Sequence, residues 1–113
     1  MPPLQTLTEF DYHQRLAASP GTSIVLFSSP ECGSCRKVER LLPEALGDIS
    51  HTLFKVDVQQ ATALARQFEI FHLPTLFLYR DGQFHAALNS AVTRAQLQRA
   101  VTAALAAPAE EEP

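Results

Sequence analysis

Long apolar runs are missing from this sequence. Stretches such as "IVLF" and "TLFLY" stop far short of the roughly 18 residues that a membrane-spanning helix requires, so no membrane partner is expected. Basic residues are few: two lysines and seven scattered arginines form no basic stripe and have no RNA-type aromatic motif beside them, so no nucleic acid partner is expected. The start, "MPPLQTLTEFD", lacks the basic n-region and apolar h-region of a secretory leader, which points to a cytoplasmic protein. Internal repeats and linkers are absent too, and 113 residues suffice for one hydrophobic core but not for two. Cysteine is scarce and concentrated: the only two, Cys32 and Cys35, lie three apart in "SSPECGSCRKVE", residues 28–39.

What remains is the composition of an ordinary soluble globular protein, 46% apolar and 19% charged. The net charge of −3 is accounted for by Glu110, Glu111 and Glu112, which leaves the body of the chain neutral. The segment "APAEEEP", residues 107–113, reads as a disordered acidic tail.

Along the chain, "TEFDYHQRLAAS" predicts a helix that Thr8 can cap, with Leu7 stapled onto Tyr12 and Pro20-Gly21 ending it; residues 1–6 can add a short edge strand. The continuous apolar run "SIVLFSS" (23–29), with β-branched Ile24 and Val25, suits a central strand covered on both faces. After the cysteines, Val38, Leu41, Leu42, Ala45 and Leu46 form the stripe of a packed helix, in which Pro43 is expected to cause a kink or a new turn. "HTLFKVDV" predicts a second strand, and "QATALARQF" a helix with Ala61, Leu64, Ala65 and Phe68 on one side, completing a right-handed parallel unit. In "TLFLYRDGQFHAAL", Asp81-Gly82 signals an antiparallel hairpin, so the sheet is mixed. A last helix starts at Thr93 with the capping box "TRAQ" and a Val92–Leu97 staple, and buries Leu97, Val101 and Leu105.

A helix beginning at or just before Cys32 places Cys35 one turn on, with Cα atoms roughly 5 Å apart, inside the range of about 4.4 to 6.8 Å that a disulfide tolerates. Cys32 then sits where unpaired N–H groups and the helix dipole favour thiolate, and Cys35 lies within the first turn. Three readings of the pair remain open. A structural staple closes only a four-residue loop, worth roughly 2 kcal/mol, and a reducing cytoplasm would not maintain it. A zinc site needs two further ligands, and only His13, His51, His72 and His85 are on hand. A redox dithiol is favoured, because the spacing and the strand-to-helix junction are those of redox chemistry.

Three segments taken together resemble the thioredoxin family: "SIVLFSSPECGSC", "KVDV" and "FEIFHLPTLFLYRDGQ", in an order and spacing that agree from about residue 7 to residue 105. The resemblance implies a thioredoxin fold. This is an α/β architecture with a mixed central sheet of four or five strands flanked by about four helices, here over residues 1–106. It also implies that Cys32 is the exposed nucleophile, Cys35 the resolving thiol, and Pro74 the proline after a cis bond that faces them. The backbone at Leu73 and Pro74 would pair with an extended substrate segment, and the small Gly33 and Ser34 suit that groove.

The sequence departs from the family pattern at several positions. Glu31 and Ser34 stand where the family usually has tryptophan and proline, and there is no tryptophan anywhere. Leu26 replaces a buried aspartate that helps deprotonate the resolving cysteine, while the lysine that usually neighbours it is kept as Lys55. Ser90 replaces a groove glycine. A carboxylate at Glu31 disfavours thiolate at Cys32, whereas an imidazolium at His72 would stabilise it. Arg36 and Lys37 read as solvated helix residues, and Phe71 as either groove wall or core.

The function expected is that of a thiol–disulfide oxidoreductase that reduces protein disulfides through Cys32 and Cys35. It needs no bound cofactor or metal beyond its redox-active disulfide. It works as a monomer and is re-reduced by an electron donor such as a thioredoxin reductase. The alternative is a client-binding or chaperone-like module of the same fold, with a redox-sensing dithiol.

Overall fold

A computed structural model describes residues 4–47, 52–88 and 93–113. In chain order these form strand β1 (Gln5–Thr6), helix α1 (Tyr12–Ala17), strand β2 (Thr22–Ser28), helix α2 (Gly33–Leu46), strand β3 (Thr52–Asp57), helix α3 (Thr62–Gln67), strands β4 (Thr75–Arg80) and β5 (Gln83–Leu88), and helix α4 (Arg94–Ala106). The strands make one mixed sheet in the order β1-β3-β2-β4-β5. β1 and β2 run parallel to β3, β4 runs antiparallel to β2, and β5 antiparallel to β4. These five strands and four helices agree with the α/β fold of four or five strands and about four helices that the resemblance implies.

β2 lies at the centre because it can be covered on both faces: Ser23 to Phe27 are all buried. Its side chains alternate between two clusters. Ile24 and Leu26 join Val38, Leu42, Ala45 and Leu46 of α2 and Leu97 and Val101 of α4. Val25 and Phe27 join Tyr12 and Leu16 of α1, and Leu64 and Phe68. The stripe read from the sequence is therefore what seats α2.

Details differ from the sequence reading where tertiary packing takes over. Thr8 caps a turn ahead of α1 rather than the helix itself. Its Oγ1 accepts from Asp11 N at 3.3 Å, while Asp11 Oδ1 accepts from Thr8 N at 2.7 Å and from Thr8 Oγ1 at 3.0 Å; these last two bonds, the N–H first, lower the pKa of the Asp11 carboxyl. α2 continues through Pro43 as a single helix, because the buried stripe on either side outweighs one lost backbone bond. Leu41 and Leu105 are only partly buried against the core. The capping box at Thr93 is present, with Gln96 N donating to Thr93 Oγ1 and Thr93 N donating to Gln96 Oε1, both at 3.2 Å. His51, Ser90 and Val92 lie outside the described residues. Residues 107–113 form neither helix nor strand, and Glu110 N donates to His85 O of β5 at 2.7 Å.

The β4–β5 hairpin turns on Asp81 and Gly82, both in the left-handed region at φ 50° and 82°. The tip is pinned to the rest of the fold: Asp81 N donates to Gly21 O at 2.8 Å, and Gly21 N donates to Asp81 Oδ1 at 2.7 Å. A Cβ on Gly82 would lie 2.7 Å from Ala17 Cα and 2.9 Å from Leu16 O, both backbone atoms. Gly82→Ala is therefore expected to cost about 2 kcal/mol, as a lowered midpoint in urea unfolding. An unchanged midpoint would refute this account of the turn.

Candidate active site

The exit from β2 is a tight turn, Ser29 to Cys32, closed by Cys32 N donating to Ser29 O at 3.1 Å. Cys32 has extended backbone (φ −88°, ψ 101°) and is the N-cap of α2; its Sγ accepts from Cys35 N at 3.1 Å. The two cysteines form a disulfide with Cα atoms 5.2 Å apart, as the helix spacing requires. Their surroundings differ. Cys32 is partly exposed with Ser34 Oγ 3.5 Å from its Sγ, whereas Cys35 is 1% exposed among the apolar residues of α2.

The segment before β4 reaches the same edge of the sheet. Thr75, the first residue of β4, is opposite Phe27, next to the last residue of β2, so Pro74 stands at the end where Cys32 emerges. The Leu73–Pro74 peptide is cis. Thr75 Oγ1 donates to His72 O at 2.5 Å, and Leu73 packs on the cluster beneath. His72 is exposed, and Phe71 is 82% exposed, which removes it from the core.

The family model of thioredoxin matches residues 3–103. The chain belongs to the thioredoxin family. Similar proteins include thioredoxins of Staphylococcus saprophyticus (32% identical over 65 residues, 56% of this chain and 62% of that protein) and Staphylococcus epidermidis (28% over 79 residues, 68% and 74%). A thioredoxin of Staphylococcus aureus is 28% identical over 79 residues, again 68% and 74%. The matched segment thus spans less than two thirds of the S. saprophyticus protein. Membership of the thioredoxin family and a joined Cys-x-x-Cys pair support thiol–disulfide oxidoreductase chemistry.

Within this thioredoxin site, the family's usual aspartate position is filled by Leu26, which is 0% exposed in the core. Lys55 lies opposite Leu26 on β3, and its Nζ bonds Glu39 Oε1 of α2 at 2.6 Å. Glu39, Lys55, Arg36 and Asp57 line one polar cavity behind the Ser29–Pro30 turn. Among the described residues, no three His, Cys, Asp or Glu side chains gather as a metal site. His13 meets the rings of Tyr12 and Phe68 edge-on, and His85 Nε2 meets Ala104 O at 2.7 Å.

Three contacts escaped the sequence reading. Arg36 is exposed but not merely solvated, since its Nη2 donates to Pro30 O at 2.6 Å. Glu39 holds Lys55. Gln59 Nε2, from the turn after β3, donates to Glu31 Oε2. Gln59 and Glu31 are 28 residues apart, and no local pattern links them. Glu39 had a faint signal in its place one helical turn after Cys35.

Burial separates the cost of disturbing the two neighbours Lys55 and Leu26. The Lys55–Glu39 pair is about one third exposed at each side chain, so Lys55→Met is expected to cost about 1 kcal/mol or less in urea unfolding. Leu26→Asp places a carboxylate in an apolar cluster and is expected to cost about 3 kcal/mol or more at pH 7. Equal losses from the two changes would contradict this picture.

Proposed function

We propose that this protein reduces protein disulfides in the cytoplasm, with Cys32 as nucleophile and Cys35 as resolving thiol. The supporting observation is the asymmetry of the pair: Cys32 is partly exposed at the N-cap of α2, and Cys35 is buried. In the dithiol form, the helix N-terminus and the Cys35 N–H favour negative charge on Cys32 Sγ. The Cys32 thiolate attacks one sulfur of a substrate disulfide, forms a mixed disulfide and expels the other sulfur as thiolate, which takes up a proton. Cys35 then loses its proton and attacks Cys32 Sγ, releasing the second substrate thiol. Two electrons pass to the substrate, and the Cys32–Cys35 disulfide is restored. A dithiol donor such as a thioredoxin reductase must return those electrons.

The backbone at Leu73 and Pro74 would hold the substrate segment as an added strand, with Gly33 and Ser34 keeping the approach low. A Cβ on Gly33 meets nothing within 4 Å, so its smallness serves access rather than packing. Glu31 and His72 act as modulators of Cys32, while Lys55 contributes only through Glu39. A partly exposed Cys32 backed by a buried Cys35 is not needed for holding a client, so the client-binding alternative is not favoured.

Insulin reduction with dithiothreitol as electron donor tests the proposal. The native chain is expected to exceed dithiothreitol alone, Cys32→Ser to fall to that background, and pre-reduced Cys35→Ser, mixed with insulin after dithiothreitol is removed, to accumulate a covalent mixed disulfide visible by mass spectrometry. A native chain no faster than dithiothreitol would overturn it.

A further inference from the structure

The turn that carries Cys32 is tied down from both sides. Arg36 Nη2 holds Pro30 O, Cys32 N holds Ser29 O, and Gln59 Nε2 holds Glu31 Oε2. Gln59 is itself fixed by donating its N–H to Asp57 Oδ1 at 2.9 Å. A glutamate on an exposed turn ordinarily samples many rotamers. Here an amide from another loop restrains the carboxylate next to the nucleophile, while the residue remains exposed.

Among the described residues that carboxylate belongs to no ion pair; the pairs are Arg15–Asp11 and Lys55–Glu39. The cavity behind the turn is lined by Arg36, Lys55, Glu39 and Asp57, and Glu31 lies outside that lining. Because β3 and β4 flank β2, Cys32 emerges between two walls. One is the Asp57–Gln60 turn with Glu31; the other is the Phe71–Pro74 loop, with Phe71 and His72 exposed. Lys37 is exposed on α2. A substrate strand laid along Leu73 and Pro74 presents its cysteine to Cys32, the chain neighbour of Glu31, so the substrate residues flanking that cysteine come within electrostatic reach of Glu31.

We infer that Glu31, held by Gln59, is a specificity-determining residue that favours disulfides whose cysteine is flanked by lysine or arginine and disfavours those flanked by carboxylates. This rests on the disulfide-reductase reading above. The selection is electrostatic, so attraction of a cation and repulsion of an anion add in the ratio of the two rates. It weakens with salt, since the group is exposed. Glu31 also lowers the thiolate fraction of Cys32, but that effect is common to all substrates and cancels in the ratio.

The test uses the full chain, dithiothreitol as reductant, and two fluorescent peptide disulfides that differ only in having lysine or glutamate next to the cysteine. The expected ratio of kcat/KM, lysine over glutamate, is roughly tenfold at low ionic strength, falling to about twofold at 0.5 M salt. Glu31→Gln brings the ratio close to one, Glu31→Lys inverts it, and Phe71→Ser on the opposite wall leaves it as in the native chain. A native ratio near one, or a ratio unchanged by Glu31→Gln, overturns this inference and leaves the reductase reading standing. Failure of the native chain to reduce either peptide or insulin overturns both.

Discussion

Burial of β2 on both faces is the constraint on which the rest of the structure depends. Ser23 to Phe27 are shut away from water, with alternate side chains assigned to different clusters. A slip of one residue would send Leu26 and Phe27 to each other's side, so the register against β3 and β4 is strongly specified. That register in turn brings the exits of β2 and β3 and the entry of β4 to one edge of the sheet. The dithiol, the Gln59 turn and the Pro74 loop are neighbours for that reason.

The same constraint pushes charge out of the centre. With Leu26 in the apolar cluster, the nearby lysine finds its carboxylate on α2 at Glu39, at the border of the core rather than inside it. Tyr12 and Tyr79 meet at 2.6 Å between their hydroxyls, and burial pushes both well above the ordinary tyrosine range, so both stay neutral. Among the described residues, two buried side-chain atoms, Glu9 Oε2 and Ser23 Oγ, have no hydrogen-bond partner. The active edge, by contrast, keeps its polar contacts near water: Glu31 with Gln59 and Arg36 with Pro30 O. A site arranged this way can respond to the charge of what approaches it, while the strand beneath remains insensitive.

The legible parts of the fold are those with a local signature. The α2 stripe, the apolar run of β2, the Asp81-Gly82 turn and the Thr93 box each follow from spacing within one element. Local reading is incomplete where one element borrows stability from another. Pro43 sits inside a continuous helix because both flanks are anchored in the core. Thr8 serves a turn closed by Asp11 rather than the first turn of α1. Phe71 was ambiguous because an aromatic beside a strand is usually buried, and only the path of the loop exposes it.

By itself the sequence determined the two cysteines' spacing, the helix start that makes Cys32 and Cys35 unequal, and the continuous apolar run that makes β2 central. These depend on helical periodicity and on an unbroken apolar run, which residue order alone sets. The tertiary structure decided which side chains from distant segments meet the dithiol: Gln59 at Glu31, Glu39 at Lys55, and the Phe71–Pro74 loop beside Cys32. Those meetings are consequences of strand order and register, set by the burial of whole faces, and no pattern within a single segment records them.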